Sequence, residues 1–241
     1  MPTYNERDRL RELVTAAFDA FTAAGLDGEL VVVDDNSPDG TGALAEELAL
    51  QYRLRVVHRA GKLGLGTAVV EGMRAAGAPV VGVIDADMSH PPALLPTMFA
   101  GMRQVNADIV VASRYVEGSG TREWPISRLL MSRLACIMAR GLTPVRDATS
   151  GFFLIRRDIA QGVRISAGGF KICLELLVRG QPGSILEVPY VFVGRTAGES
   201  KMNLKEALGY IVQLRDLHRF RRAHRAPAPA YRQFVAAPAR R

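Results

Sequence analysis

Short runs of β-branched residues alternate along this chain with longer segments whose apolar residues recur at helical spacing. The runs that we predict as strands are Glu29–Asp34, Leu54–His58, Pro79–Asp85, Asp108–Ser113 and Ile185–Phe192. The segments that we predict as helices are Glu6–Ala24, Thr41–Leu50, Leu65–Ala76 and Pro92–Gln104. Strands that alternate with helices form a mostly parallel sheet covered by helices, because a parallel crossover needs a helix-length connection. The sequence therefore predicts an α/β fold.

The composition fits one globular domain. The chain has 241 residues, of which 48% are hydrophobic and 23% charged, and these values exclude a wholly disordered or collagen-like chain. Its two cysteines, Cys136 and Cys173, lie in apolar helical patterns and are too few for a disulfide framework. We interpret both as reduced core residues.

The net charge of +7 comes from the C-terminal end alone. Residues 219–241 contain seven arginines and no Asp, Glu or Lys, which leaves residues 1–218 with 24 basic and 24 acidic residues. We therefore divide the chain into a neutral domain, 1–218, and a basic tail rich in Arg, Pro and Ala, 219–241, which we expect to be disordered. The tail suits anionic lipid headgroups, or it is simply solvated. No motif supports nucleic-acid binding.

No run of 18 or more apolar residues and no signal-peptide pattern occurs in the sequence, so we expect a cytosolic protein. Membrane contact would then come from the tail, a partner or a surface helix. Two segments with one apolar face, Ile126–Met138 and Leu204–Val212, either pack on the sheet or lie at a membrane surface.

Polar clusters follow three of the predicted strands, where ligands bind in open parallel sheets. Residues 34–39 (DDNSPD) offer carboxylates for a base or ribose, or a cap for the next helix through Asp39 or Thr41. Residues 85–87 (DAD) offer two carboxylates to one hard cation such as Mg²⁺ or Mn²⁺, although this pattern alone is more often a solvated turn. Residues 113–115 (SRY) add an arginine.

Two further segments bear on the site. Residues 2–6 (PTYNE) are typical of the loop after a first strand, yet only Met1 precedes them, so we expect that strand to be missing or the start to be misplaced. Residues 61–66 (GKLGLG) lack the order of a phosphate-binding fingerprint and are typical of a flexible turn that opens a helix.

Taken together, the motifs resemble those of the polyprenyl-phosphate (dolichyl-phosphate) mannosyltransferases of glycosyltransferase family 2. Eight motifs occur in that family's order over residues 2 to about 215: PTYNE (2–6), VDDNSPDGT (33–41), GKLGLGTA (61–68), DADMSHP (85–91), SRY (113–115), TSGF (149–152), EVPY (187–190) and GESK (198–201). The resemblance implies the A-type, Rossmann-like fold of nucleotide-sugar glycosyltransferases.

The resemblance also implies a GDP-mannose site. The positions that match the guanosine-binding residues are Pro2, Tyr4, Glu6 and Asp35, with Val33 beside them. Arg195 and Lys201 match a basic pair on the donor diphosphate.

The same resemblance implies a divalent cation. Asp85 and Asp87 match the metal-binding pair, with Ala86 between them and Ser89 near the ion, so the implied cofactor is Mg²⁺ or Mn²⁺.

The implied reaction transfers mannose to a polyprenyl monophosphate with inversion, which gives a β-mannosyl phospholipid. Asp87, Arg114 and Arg128 are the implied catalytic residues, and the two arginines would meet the acceptor phosphate and the sugar. The enzyme would then work peripherally at the cytoplasmic face of the membrane, with a membrane partner subunit as an option. The alternatives are a sister transferase that uses UDP-glucose or another donor, and a non-catalytic nucleotide-sugar-binding subunit.

Overall fold

The computed structural model of the chain describes residues 1–163, 165, 171–194 and 204–234. Within these ranges strands and helices alternate, which confirms the predicted α/β class. The strands are β1 (Pro2–Thr3), β2 (Leu30–Asp34), β3 (Leu54–His58), β4 (Val80–Val83), β5 (Ile109–Ser113), β6 (Gly120–Arg122), β7 (Phe153–Arg156), β8 (Ser184–Pro189), β9 (Val191–Val193) and β10 (Ala230–Gln233).

The described helices surround these strands. They are α1 (Arg7–Ala23), α2 (Thr41–Ala49), α3 (Leu65–Ala75), α4 (Leu95–Val105, after a 3-10 turn at Pro92–Leu94), α5 (Ile126–Ala139), α6 (Arg157–Gln161), α7 (Ile172–Arg179) and α8 (Leu204–Ala223). None of the helices in the described ranges is long and apolar enough to cross a membrane.

The strands form a three-stranded parallel sheet in the order β1-β2-β3, a five-stranded sheet in the order β10-β8-β5-β7-β4, and a pair β6-β9. Side chains alternate between two cores, as the period of a strand requires. Val31 and Val33 of β2 pack with α3, whereas Leu30 and Val32 pack with α1 and α2. Helices therefore cover both faces.

Two strands differ from the sequence prediction. The sequence predicts no strand at Phe153–Arg156, but these residues form β7, which runs antiparallel between β4 and β5. The predicted strand Ile185–Phe192 is instead two strands, because Pro189 has no N–H to continue the ladder and the chain changes partner there. β8 lies in the large sheet, and β9 pairs with β6.

The sequence predicts that the first strand is missing or that the start is misplaced, and the structure contains a first strand of only two residues. Pro2 and Thr3 form a two-residue strand that pairs in parallel with Val33 and Asp34. The N–H of Asp35 donates to the carbonyl oxygen of Thr3 at 3.0 Å, so the ladder extends to the end of β2. The loop that carries Tyr4 therefore begins directly after β1.

Beyond the start of β1, an apolar cleft of about 320 Å³ separates β2 from β4. Val31, Val69, Met73 and Val83 are among the side chains that line it. Met1 lies at one end, where its amine donates to the carbonyl oxygen of Val31 at 2.9 Å. The buried amine thus donates to β2 as the backbone N–H of a paired strand would.

The prediction of a disordered tail is wrong for the described part of residues 219–241. Residues 219–223 continue α8, so the predicted boundary at residue 218 falls inside a helix. Ala230–Gln233 form β10, which pairs in parallel with β8. Phe220 and Tyr231 pack against the core, which offsets the entropy of ordering this segment. Residues 235–241 lie outside the described residues.

The apolar face of α5 does not pack on the sheet. Six of its large apolar side chains are exposed: Ile126, Leu130, Met131, Leu134, Ile137 and Met138. Both cysteines, in contrast, are buried and unpaired with each other, as predicted. Burial raises the pKa of the Cys136 thiol to about 11, with Asp147 adding to the effect.

The buried amine of Met1 makes the stability depend on pH. Burial lowers the pKa of this amine from 8.0 to about 5, although Asp85 partly opposes the shift. Between these values the unfolded chain holds a proton that the folded chain lacks, so the free energy of unfolding should rise as the pH increases from 5 to 8. The slope should reach about 1.4 kcal/mol per pH unit, measured by urea denaturation.

The control is a chain acetylated at Met1, which has no titrating amine. Burial also lowers the pKa of His90, which gives the same sign and remains in the control. The difference in slope between the two chains therefore isolates Met1, and equal slopes would contradict the prediction.

Candidate active site

The loop after β2 is held in shape by its own side chains. Asp34 accepts hydrogen bonds from the backbone N–H of Ser37 at 3.1 Å and from its hydroxyl at 2.5 Å. Asp39 accepts from the N–H of Thr41 at 2.9 Å, although the N-cap residue of α2 is Gly40 rather than Asp39 or Thr41, the caps that the sequence suggested. Asp34 and Asp39 thus stabilise the conformation of the loop itself. Asp35, the third carboxylate, has its partner outside the loop.

Asp35 is buried and forms an ion pair with the buried Arg59, a residue that the sequence analysis missed. The same guanidinium reaches Glu71 at 2.9 Å and the hydroxyl of Thr67 at 2.5 Å. Thr67 lies in the first turn of α3, so Arg59 ties the β2 loop to the start of that helix. The missed signal was an arginine directly after strand β3, where a polar cluster was expected at a strand end.

Lys62 connects the glycine-containing turn to the loop after β1. Its ammonium group lies 4.1 Å from the centre of the Tyr4 ring. The turn at residues 61–66 therefore closes over Tyr4, and both lie beside the Asp35 loop because β1 pairs with β2. The structure thus brings Tyr4 and Asp35, two positions that the family resemblance assigned to the guanosine, to one edge of the sheet.

The remaining residues predicted on this side have mixed environments. Pro2 is half-buried in β1, and Glu6 precedes α1, where its N–H donates to the hydroxyl of Thr41 at 3.0 Å. Val33 and Ala86 are buried in the two cores. Arg195 and Lys201 lie outside the described residues.

The carboxylates of residues 85–87 lie directly after β4. Asp87 is buried, and its Oδ1 accepts from the N–H of Ser89 at 3.0 Å and from the hydroxyl of Ser89 at 2.5 Å. Asp85 is more open, with its side chain 32% exposed. Met88, between Asp87 and Ser89, has a φ of 63°, which is unusual for a residue with a side chain and indicates a tight turn of the backbone at this point.

His90 connects this loop to the core of the protein. Its Nδ1 accepts a hydrogen bond from the backbone N–H of Asp85 at 3.2 Å, and its ring stacks on Phe152 at 5.1 Å between centroids. Burial lowers the pKa of His90, although Asp85 and Asp87 oppose the shift. A neutral imidazole is therefore favoured, with the proton on Nε2.

The donor chemistry at Asp85 and Asp87 fits a divalent cation. Two carboxylates are the hard oxygen ligands that Mg²⁺ and Mn²⁺ take when a substrate phosphate completes the shell. The described residues contain no group of three or more His, Cys, Asp or Glu side chains placed to hold a metal alone. A Cβ on Gly151 would lie 3.3 Å from Oδ2 of Asp85, so the glycine leaves room at that carboxylate.

Arg114, at the end of β5, forms a two-pronged ion pair with Asp147. Its Nε and Nη2 each donate to an Asp147 oxygen at 2.7 Å, and its backbone N–H donates to the same carboxylate at 2.9 Å. Asp147 is completely buried. Burial alone lowers the pKa of Arg114, but Asp147 reverses this and raises it above its usual value.

Trp124 joins the two arginines that the sequence analysis selected. The guanidinium of Arg114 lies 5.2 Å from its ring centre, and that of Arg128 lies 4.4 Å from it. The buried indole N–H has no hydrogen-bond partner among the described residues. Trp124, the single tryptophan of the chain, was not selected from the sequence because one aromatic residue carries no spacing signal.

The family profile described as "Glycosyl transferase family 2" matches residues 1–164. The chain is 39% identical over 215 residues to the dolichol-phosphate mannosyltransferase of Pyrococcus furiosus, a match that covers 88% of this chain and 60% of that protein. The alignment thus spans less than two thirds of that relative. The Saccharomyces cerevisiae dolichol-phosphate mannosyltransferase is 35% identical over 232 residues, 92% of this chain and 86% of that protein.

Solved structures show the same fold. Glucosyl-3-phosphoglycerate synthase from Mycobacterium tuberculosis, in complex with phosphoglyceric acid, superposes with a TM-score of 0.64 at 21% identity, and the match covers 90% of this chain and 77% of that one. A second structure of that protein, in complex with Mn²⁺, UDP-glucose and phosphoglyceric acid, gives a TM-score of 0.63 at 21% identity, over 90% of this chain and 77% of that one. These likenesses concern the fold.

Because the Arg114–Asp147 pair is buried, neutralising one partner should strongly lower the free energy of unfolding. Asp147→Asn should lower the free energy of unfolding by about 3 kcal/mol, because the guanidinium then stays buried without its counter-charge. Chemical denaturation of the parent and the variant measures this.

The exposed pair Arg11–Glu47, with side chains 52% and 63% exposed, offers the matched control. Glu47→Gln should change stability by less than about 0.5 kcal/mol, because solvent screens exposed pairs. Similar losses in both variants would show that burial does not set the value of the Arg114–Asp147 pair.

Proposed function

Because this chain belongs to glycosyl transferase family 2, we propose that it transfers mannose from GDP-mannose to a polyprenyl monophosphate with inversion, giving polyprenyl β-mannosyl phosphate. The observation that carries the proposal is the identity of 35–39%, over 88–92% of the chain, to proteins named dolichol-phosphate mannosyltransferase. The arrangement of the site supports it.

The donor would bind along the ends of β1, β2 and β4. Asp35 would accept hydrogen bonds from the guanine or ribose, and Arg59 holds that carboxylate in place through their buried ion pair. Tyr4 would lie against the nucleoside, with Lys62 closing the turn above it. This pairing of a fixed carboxylate with an aromatic ring suits a nucleoside, because one recognises its polar edge and the other its flat face.

The diphosphate would lie at the carboxylates after β4. Asp85 and Asp87 would hold Mg²⁺ or Mn²⁺, and a cation bound there would neutralise the charge of the departing diphosphate. The complex of the M. tuberculosis synthase with Mn²⁺ and UDP-glucose supports a divalent cation in this fold. Ser89 orients Asp87, and His90 orients the backbone of Asp85. We assign Arg195 and Lys201 to the same diphosphate from their motif positions.

The acceptor would approach past Trp124. A phosphate monoester carries its charge near pH 7, so its oxygen can attack the anomeric carbon without first losing a proton to a general base. Positioning is then the main requirement, and cations that contact phosphate oxygens supply it. Arg128 and Arg114 flank Trp124, whose unpartnered indole N–H is a further donor on this side.

The lipid part of the acceptor favours contact with a membrane surface. Arg128 lies in the first turn of α5, and exposed apolar side chains of the same helix follow it at Leu130 and Leu134. α8 packs beside α5, because the hydroxyl of Tyr210 donates to the carbonyl oxygen of Ala135 at 2.7 Å. We propose that α5 lies on the cytoplasmic face of an anionic bilayer, so that the phosphate meets Arg128 while the polyprenyl chain stays in lipid.

The function is tested by incubating the purified chain with polyprenyl phosphate, Mg²⁺ and labelled GDP-mannose or UDP-glucose, and counting label in the organic phase. We expect transfer from GDP-mannose. Transfer only from UDP-glucose would indicate a sister transferase. Binding of a nucleotide sugar without transfer would indicate a non-catalytic subunit and would contradict the proposal.

Asp87→Ala should abolish transfer, and EDTA should do the same to the parent chain, because the carboxylate is proposed to hold the cation. The variant should keep its fold, since Asp87 lies in a loop after β4 rather than in an apolar core, and circular dichroism checks this. Full activity of the parent in EDTA would exclude the metal role.

Leu130→Glu combined with Leu134→Glu should weaken sedimentation with anionic liposomes by at least about fivefold, because two apolar side chains, 60% and 57% exposed, would no longer enter the lipid interface. Leu50→Glu is the matched control, since Leu50 is 87% exposed just after α2. Equal binding of both variants would contradict the proposed role of α5.

A further inference from the structure

Glu187 is a completely buried carboxylate in the middle of β8. Its Oε2 accepts from the backbone N–H of Arg146 at 2.9 Å, and its Oε1 accepts from the backbone N–H of Asp147 at 3.0 Å. None of the ion pairs formed by the described residues includes Glu187. Hydrogen-bond donors therefore compensate the cost of burying this carboxylate. Because two of the donors are backbone N–H groups, the carboxylate fixes the backbone of the loop at Arg146 and Asp147.

The loop that Glu187 fixes is the one that holds Arg114. Asp147 binds Glu187 through its backbone N–H and Arg114 through its carboxylate, so a single residue links the two. The N–H of Ser150 donates to the carbonyl oxygen of Asp147 at 3.1 Å, which closes the turn on the other side. A displacement of this backbone would move the Asp147 carboxylate, and the guanidinium paired with it.

Glu187 is in turn held by Tyr231 of β10. The Tyr231 hydroxyl donates to Oε2 of Glu187, and it accepts from the side-chain amide of Gln233 at 2.8 Å. Because the amide occupies the acceptor side of the hydroxyl, its proton points to the carboxylate. The backbone fixes β10 as well, since the N–H of Phe234 donates to the carbonyl oxygen of Glu187 at 2.7 Å.

We propose that Glu187, locked by Tyr231, is a positioning residue for the acceptor side of the active site. It acts through the backbone of Asp147 on Arg114, and through the stacking of Arg114 on Trp124 it sets the place of the second arginine, Arg128. The C-terminal strand is then part of the catalytic unit. This inference rests on the proposed function for its kinetic consequences, but its structural consequences are independent of it.

The test uses Tyr231→Phe in the full chain, which removes one hydroxyl and keeps the ring. We expect kcat/KM for polyprenyl phosphate to fall about fivefold or more, because small displacements of positioning groups are costly. The KM for GDP-mannose should stay within about twofold. Glu187→Gln should have a larger effect, because its amide NH₂ would face a backbone N–H.

Trp124 supplies a readout that does not need turnover. As the single tryptophan, it reports the surroundings of both arginines through its emission. Its emission maximum should shift in Tyr231→Phe without added substrate. Tyr210→Phe is the matched control, because it also removes a buried tyrosine hydroxyl, one that binds the carbonyl oxygen of Ala135 in α5 rather than Glu187.

The outcomes separate the two hypotheses. A shift of Trp124 emission in Tyr231→Phe, but not in Tyr210→Phe, supports positioning even if the parent chain transfers no mannose, in which case only the proposed function fails. A shift together with the selective loss of acceptor kcat/KM supports both. Parent-like emission and acceptor kinetics in folded Tyr231→Phe would overturn the inference, and so would equal losses toward donor and acceptor.

Discussion

The buried ion pair of Arg114 and Asp147 is the interaction on which the proposed acceptor side of the site depends. Removing two charges from water is costly, and their attraction offsets the cost only when their other polar atoms also find partners. Here Asp147 receives three donors from Arg114, while its own N–H is bound by Glu187. The pair therefore ties the end of β5 to β8, and through Tyr231 to β10.

That network also explains which parts of the molecule the sequence could predict. β2 and β5 follow from local patterns, because each is a continuous run rich in β-branched residues, buried along its whole length, that is visible within five residues. The polar residues that follow β2, β4 and β5 led directly to Asp35, to Asp85 and Asp87, and to Arg114. In each case the sequence neighbours of a residue determined its place at the edge of the sheet.

The parts that were missed depend on partners far away in the sequence. Glu187 contacts a residue 40 positions before it and another 44 positions after it, and no window on the chain contains both. Tyr231 lies in a segment whose Arg, Pro and Ala content is typical of a solvated tail, yet four of its residues pair with β8. Composition measures what a segment can do alone, whereas a strand added to an existing sheet edge needs few apolar residues of its own.

The chemistry proposed for the chain gives this rigidity a reason. An anionic acceptor needs no proton removed before it attacks, so the barrier that remains depends on bringing two negatively charged phosphates into line and holding them there. A cation on a mobile surface side chain would hold the phosphates less well, because fixing that side chain costs conformational entropy. Arg114 avoids the loss because Asp147 fixes its guanidinium, and Trp124 extends the fixed surface to Arg128 at the start of α5. The buried carboxylate of Glu187 thus contributes to precision at the point where the charged end of a lipid would leave the membrane and meet the sugar.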